Sequence, residues 1–161
     1  MVAGNTMTTI VSISAKGIES TLDLLRKAGR RNSECVVLWL AERGQKRHVV
    51  RQVYLPLQQA AQDFFRIPPE GMEALMQVLD ENRLFVAAQV HSHPQTAFHS
   101  EADDKWAIVR HKGALSLVVP WFASRATVAS FLVDTAVFCL DQHNQWIQVQ
   151  TSGLEAVLEL T

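Results

Sequence analysis

The run LFVAAQV (Leu84 to Val90) constrains the fold of this chain more than any other stretch, because six of its seven residues are apolar. A strand carries apolar side chains at nearly every position only when both of its faces are covered, so this run belongs in the middle of a sheet with layers on both sides. It is followed at once by HSHPQTAFHSEADD (His91 to Asp104), which packs three of the chain's six histidines and three of its sixteen acids into one short segment. Groups that prefer water are thus collected directly behind a buried strand, where loops build sites.

The elements around this strand are legible from periodicity. MTTIVSIS (Met7 to Ser14) alternates apolar and β-branched residues and reads as a first strand. Ile18, Leu22 and Leu25 recur at helical spacing, and Gly29 with Arg30 and Arg31 closes that helix. CVVLWLAE (Cys35 to Glu42), the turn RGQK and RHVVRQVYLP, ended by Pro56, make a hairpin. Pro68 and Pro69 start a helix whose Met72, Leu75, Met76 and Leu79 form one apolar face, expected in the core. A short helix from Ser100 to about His111 is expected to turn Ala102, Trp106 and Val109 inward. ALSLVVPWF and TVASFLVDTAVFCL are read as two further strands and QWIQVQ as a last short one. Trp39, Trp106, Trp121 and Trp146 lie on apolar patterns and are assigned to the core, while His48, His111 and His143 are assigned to the surface. The mixture of hairpins and crossovers predicts an α/β fold, a mixed β-sheet with flanking helices, in a single domain over residues 1–161.

Composition narrows the function. With 15 basic and 16 acidic residues the formal charge is -1, so no global field draws the chain to nucleic acid or to an anionic membrane. The locally basic pieces RKAGRR and RGQKRH are read as a helix end and a hairpin tip. Cys35 and Cys139 stand far apart with no CxxC pair, which fits buried free thiols in a reducing compartment. No signal-like N-terminus and no run of ~18–20 apolar residues is present, so a cytoplasmic location is expected.

In a strand, residues two apart face the same way, so His91 and His93 project side by side. Their imidazoles can converge on one ion at the ~2.0–2.1 Å of zinc–nitrogen bonds. An HxH pair alone is a weak signal; its position at the end of a buried strand, with a carboxylate nearby from Asp103 or Asp104, strengthens it. Ser100 with Asp103 three residues on also has the spacing of a helix capping box, which would place the acid there with no metal at all. Two neutral imidazoles and one carboxylate leave a zinc ion with an open position and a water acidified toward ~7.

The residues HSHP, followed by S-x-x-D, resemble the zinc signature of the JAMM metalloproteases, or MPN+ domains. That resemblance implies a cytidine-deaminase-like α/β fold, zinc (Zn2+) held by His91, His93 and Asp103, and Ser100 beside the tetrahedral intermediate. It also implies a catalytic glutamate at the start of an upstream strand; SECVVLWL fits, so Glu34 is the expected general base, ahead of Glu19 in a helix and Glu42 at a hairpin tip. The loop PQTAFH is one residue shorter than the usual family loop. Counting from His93 would select Asp104, whereas counting from Ser100 selects Asp103, and the serine register is preferred because loops absorb deletions more readily than helical turns.

The implied activity is hydrolysis of the peptide or isopeptide bond after a ubiquitin or ubiquitin-like protein. AFHSEADD and LSLVVPWFA are most similar to deubiquitinase-like members of bacterial operons, such as the Bil-type antiphage systems, that also encode a ubiquitin-like protein, an E1 and an E2. His99 is a further candidate for the substrate groove. Rival readings are a catalytically inactive MPN scaffold and a peptidase that trims a sulfur-carrier protein. A zinc deaminase is disfavoured because its H-x-E…P-C-x-x-C pattern is missing.

Overall fold

The computed structural model describes residues 9–98, 100, 103, 104 and 107–161. Its centre is built on strand β2 (Val36–Glu42), whose side chains alternate between two cores. Val37, Trp39 and Ala41 pack with one cluster and Val36, Leu38 and Leu40 with the other, the period-two pattern of a strand buried on both faces.

Helix α1 (Ala15–Gly29) covers the first face. Ser14 caps it by accepting from the Gly17 N–H at 3.0 Å, and Ile18, Leu22, Leu25 and Ala28 form its buried stripe. The indole N–H of Trp39 donates to Thr21 Oγ1 at 3.0 Å, and Thr21 in turn donates to the Gly17 carbonyl, so both of these buried side chains are satisfied. Helix α2 (Pro69–Asn82) covers the other face, with Pro at its first position and Leu75 buried against Phe65 and Leu38. Its apolar stripe is only partly a core face: Met72 and Leu79 are half-buried, and Met76 is 59% exposed, contrary to the expectation that it packs inside.

The remaining strands are β1 (Ile10–Ile13), β3 (Arg47–Tyr54), the short pair β4 (Gln59–Ala60) and β5 (Phe65–Arg66), β6 (Phe85–Ser92), β7 (Leu115–Val119), β8 (Ala136–Leu140), β9 (Trp146–Gln148) and β10 (Leu158–Leu160). The main sheet has the order β10-β1-β3-β2-β6-β7-β8-β9. β1 runs parallel to β10 and β3, and β6 parallel to β7; the other pairs are antiparallel. The sheet is therefore mixed, as the sequence predicts. β6 is buried at all eight positions, in keeping with its central place.

Several boundaries differ from expectation. The segment TVASFLVDTAVFCL is not one strand: Phe131–Asp134 forms a short helix, α3, whose Phe131 is fully buried, and only Ala136–Leu140 pairs with β7. The helix expected to reach His111 does not do so. Asp103 and Asp104 are helical, but residues 107–111 are not, because the Ile108 N–H is captured by the side chain of Gln89 at 2.8 Å. Met7, Thr8, His99, Ala102 and Trp106 lie outside the described residues. Trp39 is fully buried, whereas Trp121 and Trp146 are half-buried. His143 is exposed, but His48 and His111 are half-buried against Phe85, at ring distances of 4.8 and 5.5 Å. Cys35 and Cys139 are free thiols, the first buried and the second half-buried. Among the described residues no helix is long and apolar enough to cross a membrane.

Candidate metal centre

Antiparallel pairing of β2 and β6 places the beginning of one strand against the end of the other. Val36 is the partner of His91, and the Ser92 N–H donates to the Cys35 carbonyl at 3.2 Å. Continuing that register by two residues sets Glu34 opposite His93, so two side chains far apart in sequence meet at one end of the sheet. Both are buried, at 4% and 3% exposure.

His93 has left the strand but is held from both sides. Its N–H donates to the Val119 carbonyl at 2.9 Å, and its own carbonyl accepts from the Phe122 N–H at 2.8 Å. Phe122 belongs to a left-handed turn in which Trp121, Phe122 and Ala123 have φ of 57°, 50° and 60°. Three such non-glycine residues in succession are strained, and the neighbours that hold them are visible. The Arg26 guanidinium donates to the carbonyls of Ala123 and Ala126, and Gly29 lets α1 approach so closely that a Cβ there would lie 2.5 Å from Cβ of Phe122. The end of α1 thus braces the turn that fixes His93.

Asp103 completes the cluster. The Ser100 N–H donates to Asp103 Oδ2 at 2.8 Å, and Ser100 Oγ accepts from the Asp103 N–H at 3.0 Å, a reciprocal cap of the kind the spacing anticipates. The same Oδ2 lies 3.2 Å from Nε2 of both His91 and His93. The cap and the cluster are therefore one arrangement, not alternatives. Asp104 points elsewhere: its carboxylate is exposed and pairs with Arg110 at 3.4 Å.

The donor atoms of His91, His93 and Asp103 all lie within 4.8 Å of one another. Ligands about 2.0–2.1 Å from a tetrahedral zinc ion would stand about 3.3 Å apart. The two imidazole–carboxylate separations of 3.2 Å match that edge, so the donor set suits a metal ion of this kind.

The electrostatics are those of a buried cluster. Burial acts to raise the Asp103 pKa, but hydrogen bonds from His91 and His93, the charge of His91 and the Ser100 N–H outweigh it and hold the carboxyl well below the usual carboxylate range. His91 is fully buried, and desolvation lowers its pKa against the pull of Asp103. His93 is also opposed by burial, yet Asp103, Glu34 and a backbone hydrogen bond with Thr96 raise its pKa. Glu34 is raised to about 7, chiefly by burial, with His93 lowering it and Asp103 and Asp63 raising it. A carboxyl that titrates near neutrality can both accept and return a proton.

Comparison with known proteins places this geometry. Residues 19–132 match the family of prokaryotic homologs of the JAB domain. The chain belongs to that family. It is 30% identical over 141 residues, 85% of either chain, to the probable metalloprotease y4jG of Sinorhizobium fredii (strain NBRC 101917 / NGR234). Its fold is similar to the solution structure of protein DSY2949 from Desulfitobacterium hafniense, with a TM-score of 0.67 and 19% identity covering 94% of this chain and 93% of that one. It is also similar to AF2198, a JAB1/MPN domain protein from Archaeoglobus fulgidus, with a TM-score of 0.52 and 14% identity over 94% and 98% of the two chains. At these identities the structural likeness speaks for the JAB-type fold.

Two features of this JAB-family site were not anticipated. Gln89 is fully buried, two residues before His91, and ties the segment after Asp103 to the central strand. Its signal was present as the one polar residue in LFVAAQV. The second is a cleft of about 530 Å³ beside Glu34, walled by the end of α1 and the connection from β3 to β4, which carries no sequence motif.

Proposed function

We propose that this protein is a zinc-dependent peptidase that hydrolyses the bond after the C-terminus of a ubiquitin-like protein. The observation that carries the reading is the buried set of His91, His93 and Asp103, spaced for one metal ion, with a near-neutral carboxyl, Glu34, facing it. The likeness to a probable metalloprotease supports peptide-bond hydrolysis, and the resemblance of HSHP…S-x-x-D to the JAMM signature supports a ubiquitin-like tail as substrate. The run AFHSEADD favours a substrate encoded beside the enzyme with E1- and E2-like partners, as in bacterial antiphage operons.

His91, His93 and Asp103 would hold the zinc ion, which supplies an acidified water and an electrophile for the scissile carbonyl. Glu34 takes the water's proton on its carboxylate and returns it to the leaving amine nitrogen. Because Ser100 Oγ uses a lone pair to accept from the Asp103 N–H, its hydroxyl hydrogen is left to donate to the developing oxyanion. Burial of the cluster keeps these interactions strong by excluding bulk water.

The test is zinc content together with cleavage of fusions to ubiquitin-like proteins from the same operon. One zinc per chain and chelator-sensitive cleavage at the C-terminus of the ubiquitin-like part are expected. A protein that purifies without zinc and does not take it up would instead be a scaffold.

A further inference from the structure

The cleft beside Glu34 has a built wall and an unusual charge. On one side stand Leu24, Lys27 and Ala28 of α1 with Arg31 just beyond its end; on the other are Leu55 and Leu57, which leave 48% and 59% of their surface exposed. The wall holding these leucines is fixed. Gln58 Oε1 accepts from the Val36 N–H at 2.9 Å and its Nε2 donates to the Val36 carbonyl at 3.0 Å, while the Glu34 N–H donates to the Ala61 carbonyl at 2.7 Å. Two large apolar side chains are thus presented to solvent by a segment that is itself pinned to the start of β2.

Lys27 lies in the last turn of α1 and Arg31 in the turn just after it, and both line the cleft. Among the described residues neither has a carboxylate partner, whereas their neighbour Arg26 is paired with Asp23 and with two carbonyls. Like charges lining one cleft repel, so the fold gains nothing from this pair by itself. Among the described residues the only acid lining the cleft is Glu34, with Asp63 near it between β4 and β5.

We infer that this cleft is the subsite for the substrate segment flanking the scissile bond, and that it selects an apolar side chain next to an acidic one. This rests on Glu34 facing the reacting bond, as proposed above. Leu55 and Leu57 cover the apolar side chain; Lys27 and Arg31 receive the carboxylate, and a basic residue at that position is rejected by the same pair. The volume is that of a pocket for a short peptide segment, and the occupant's charge follows from two cations with no carboxylate partner among the described residues.

Binding tests this separately from turnover. Three labelled hexapeptides, identical except for Asp, Asn or Lys beside a central Leu, are titrated by fluorescence polarisation against the full chain. The Asp peptide should bind about tenfold tighter than the Lys peptide, the effect of two exposed charge pairs, and the gap should shrink in high salt. Lys27→Glu combined with Arg31→Glu should reverse the order, and Leu57→Ser should weaken all three peptides, with melting temperatures checking that each variant is folded. Equal affinities for the three peptides, no binding of any of them, or an unchanged order in the charge-reversed protein would overturn the inference. Cleavage of ubiquitin-like fusions by the zinc-loaded protein addresses the hydrolase reading: peptide binding in the expected order without cleavage of the fusions rejects that reading and leaves the selectivity of the cleft standing.

Discussion

Oδ2 of Asp103 lies 3.2 Å from Nε2 of His93, and the same oxygen receives the N–H of Ser100 at 2.8 Å. A single carboxylate oxygen thus joins the helical cap to the histidine pair. Replacing Asp103 with Ala should remove a ligand, both histidine contacts and the cap together. Zinc content should fall far below one per chain, and the melting temperature should fall with it, because metal binding and local order are linked. Asp104→Ala removes only an exposed pair with Arg110, so zinc content should stay near that of the wild type. An empty site in Asp104→Ala and a filled one in Asp103→Ala would reverse the assignment.

Glu34→Gln should keep the fold and the zinc but lose turnover. Gln has nearly the same shape and cannot take up the water's proton. General acid–base groups contribute ~10²–10⁴ in rate, so a fall of at least about a hundredfold is expected. Glu42→Gln is the control, since Glu42 sits at the other end of β2 and pairs with Arg51 at 2.9 Å. Near-normal cleavage by Glu34→Gln would remove the proton shuttle from the mechanism.

The pKa of Glu34 also predicts a pH dependence of stability in the metal-free protein. Its folded value of about 7 lies above its ordinary value of 4.5, chiefly through burial, so the fold favours the neutral acid. The unfolded chain ionises first as pH rises. The stabilising contribution of the neutral acid is therefore full below about 4.5 and is lost progressively between about 4.5 and 7. Subtracting Glu34→Gln from wild type isolates this contribution from those of His93 and Asp103. Denaturant midpoints of the wild type should decline relative to Glu34→Gln across that window, and parallel pH profiles would contradict the assignment.

What the sequence revealed, and what it hid, follows from the range of the interactions involved. β6 and the histidine pair are legible because burial on both faces and i, i+2 spacing are local properties of a few residues. The choice of Asp103 over Asp104 is legible because Ser100 and Asp103 share one helical turn, which fixes their relative position whatever the loop length. Met76 misled because helical spacing gives a face but not its depth: the partners of α2 reach Leu75 and stop short of Met76. The helix after Ser100 is shorter than its pattern suggests for a different reason. The Ile108 N–H is bonded instead to Gln89, nineteen positions away, and no local pattern encodes such a contact. The β4–β5 pair and the cleft wall escaped for the same reason, since the side chain of Gln58 pairs with β2 in place of a strand.

That long-range contact makes Gln89 a positioning residue for the metal centre. Its Oε1 accepts from the Ile108 N–H at 2.8 Å and its Nε2 donates to Ser116 Oγ at 3.1 Å, so a buried amide connects the segment leaving Asp103 to both β6 and β7. Gln89→Met keeps the approximate volume but leaves the Ile108 N–H without this acceptor, a loss of about 1–3 kcal/mol in stability. A purely structural amide would do no more than that. If Gln89 holds the Asp103 segment in register with His91, zinc should also bind about 10–100-fold more weakly, the range found when groups supporting metal ligands are removed. Ser116→Ala, which removes only the partner that orients the amide, should weaken zinc in the same direction by a smaller factor. Competition titration with a chromophoric chelator measures both variants below their unfolding transitions. Unchanged zinc affinity in Gln89→Met alongside a lowered melting temperature would confine Gln89 to the core.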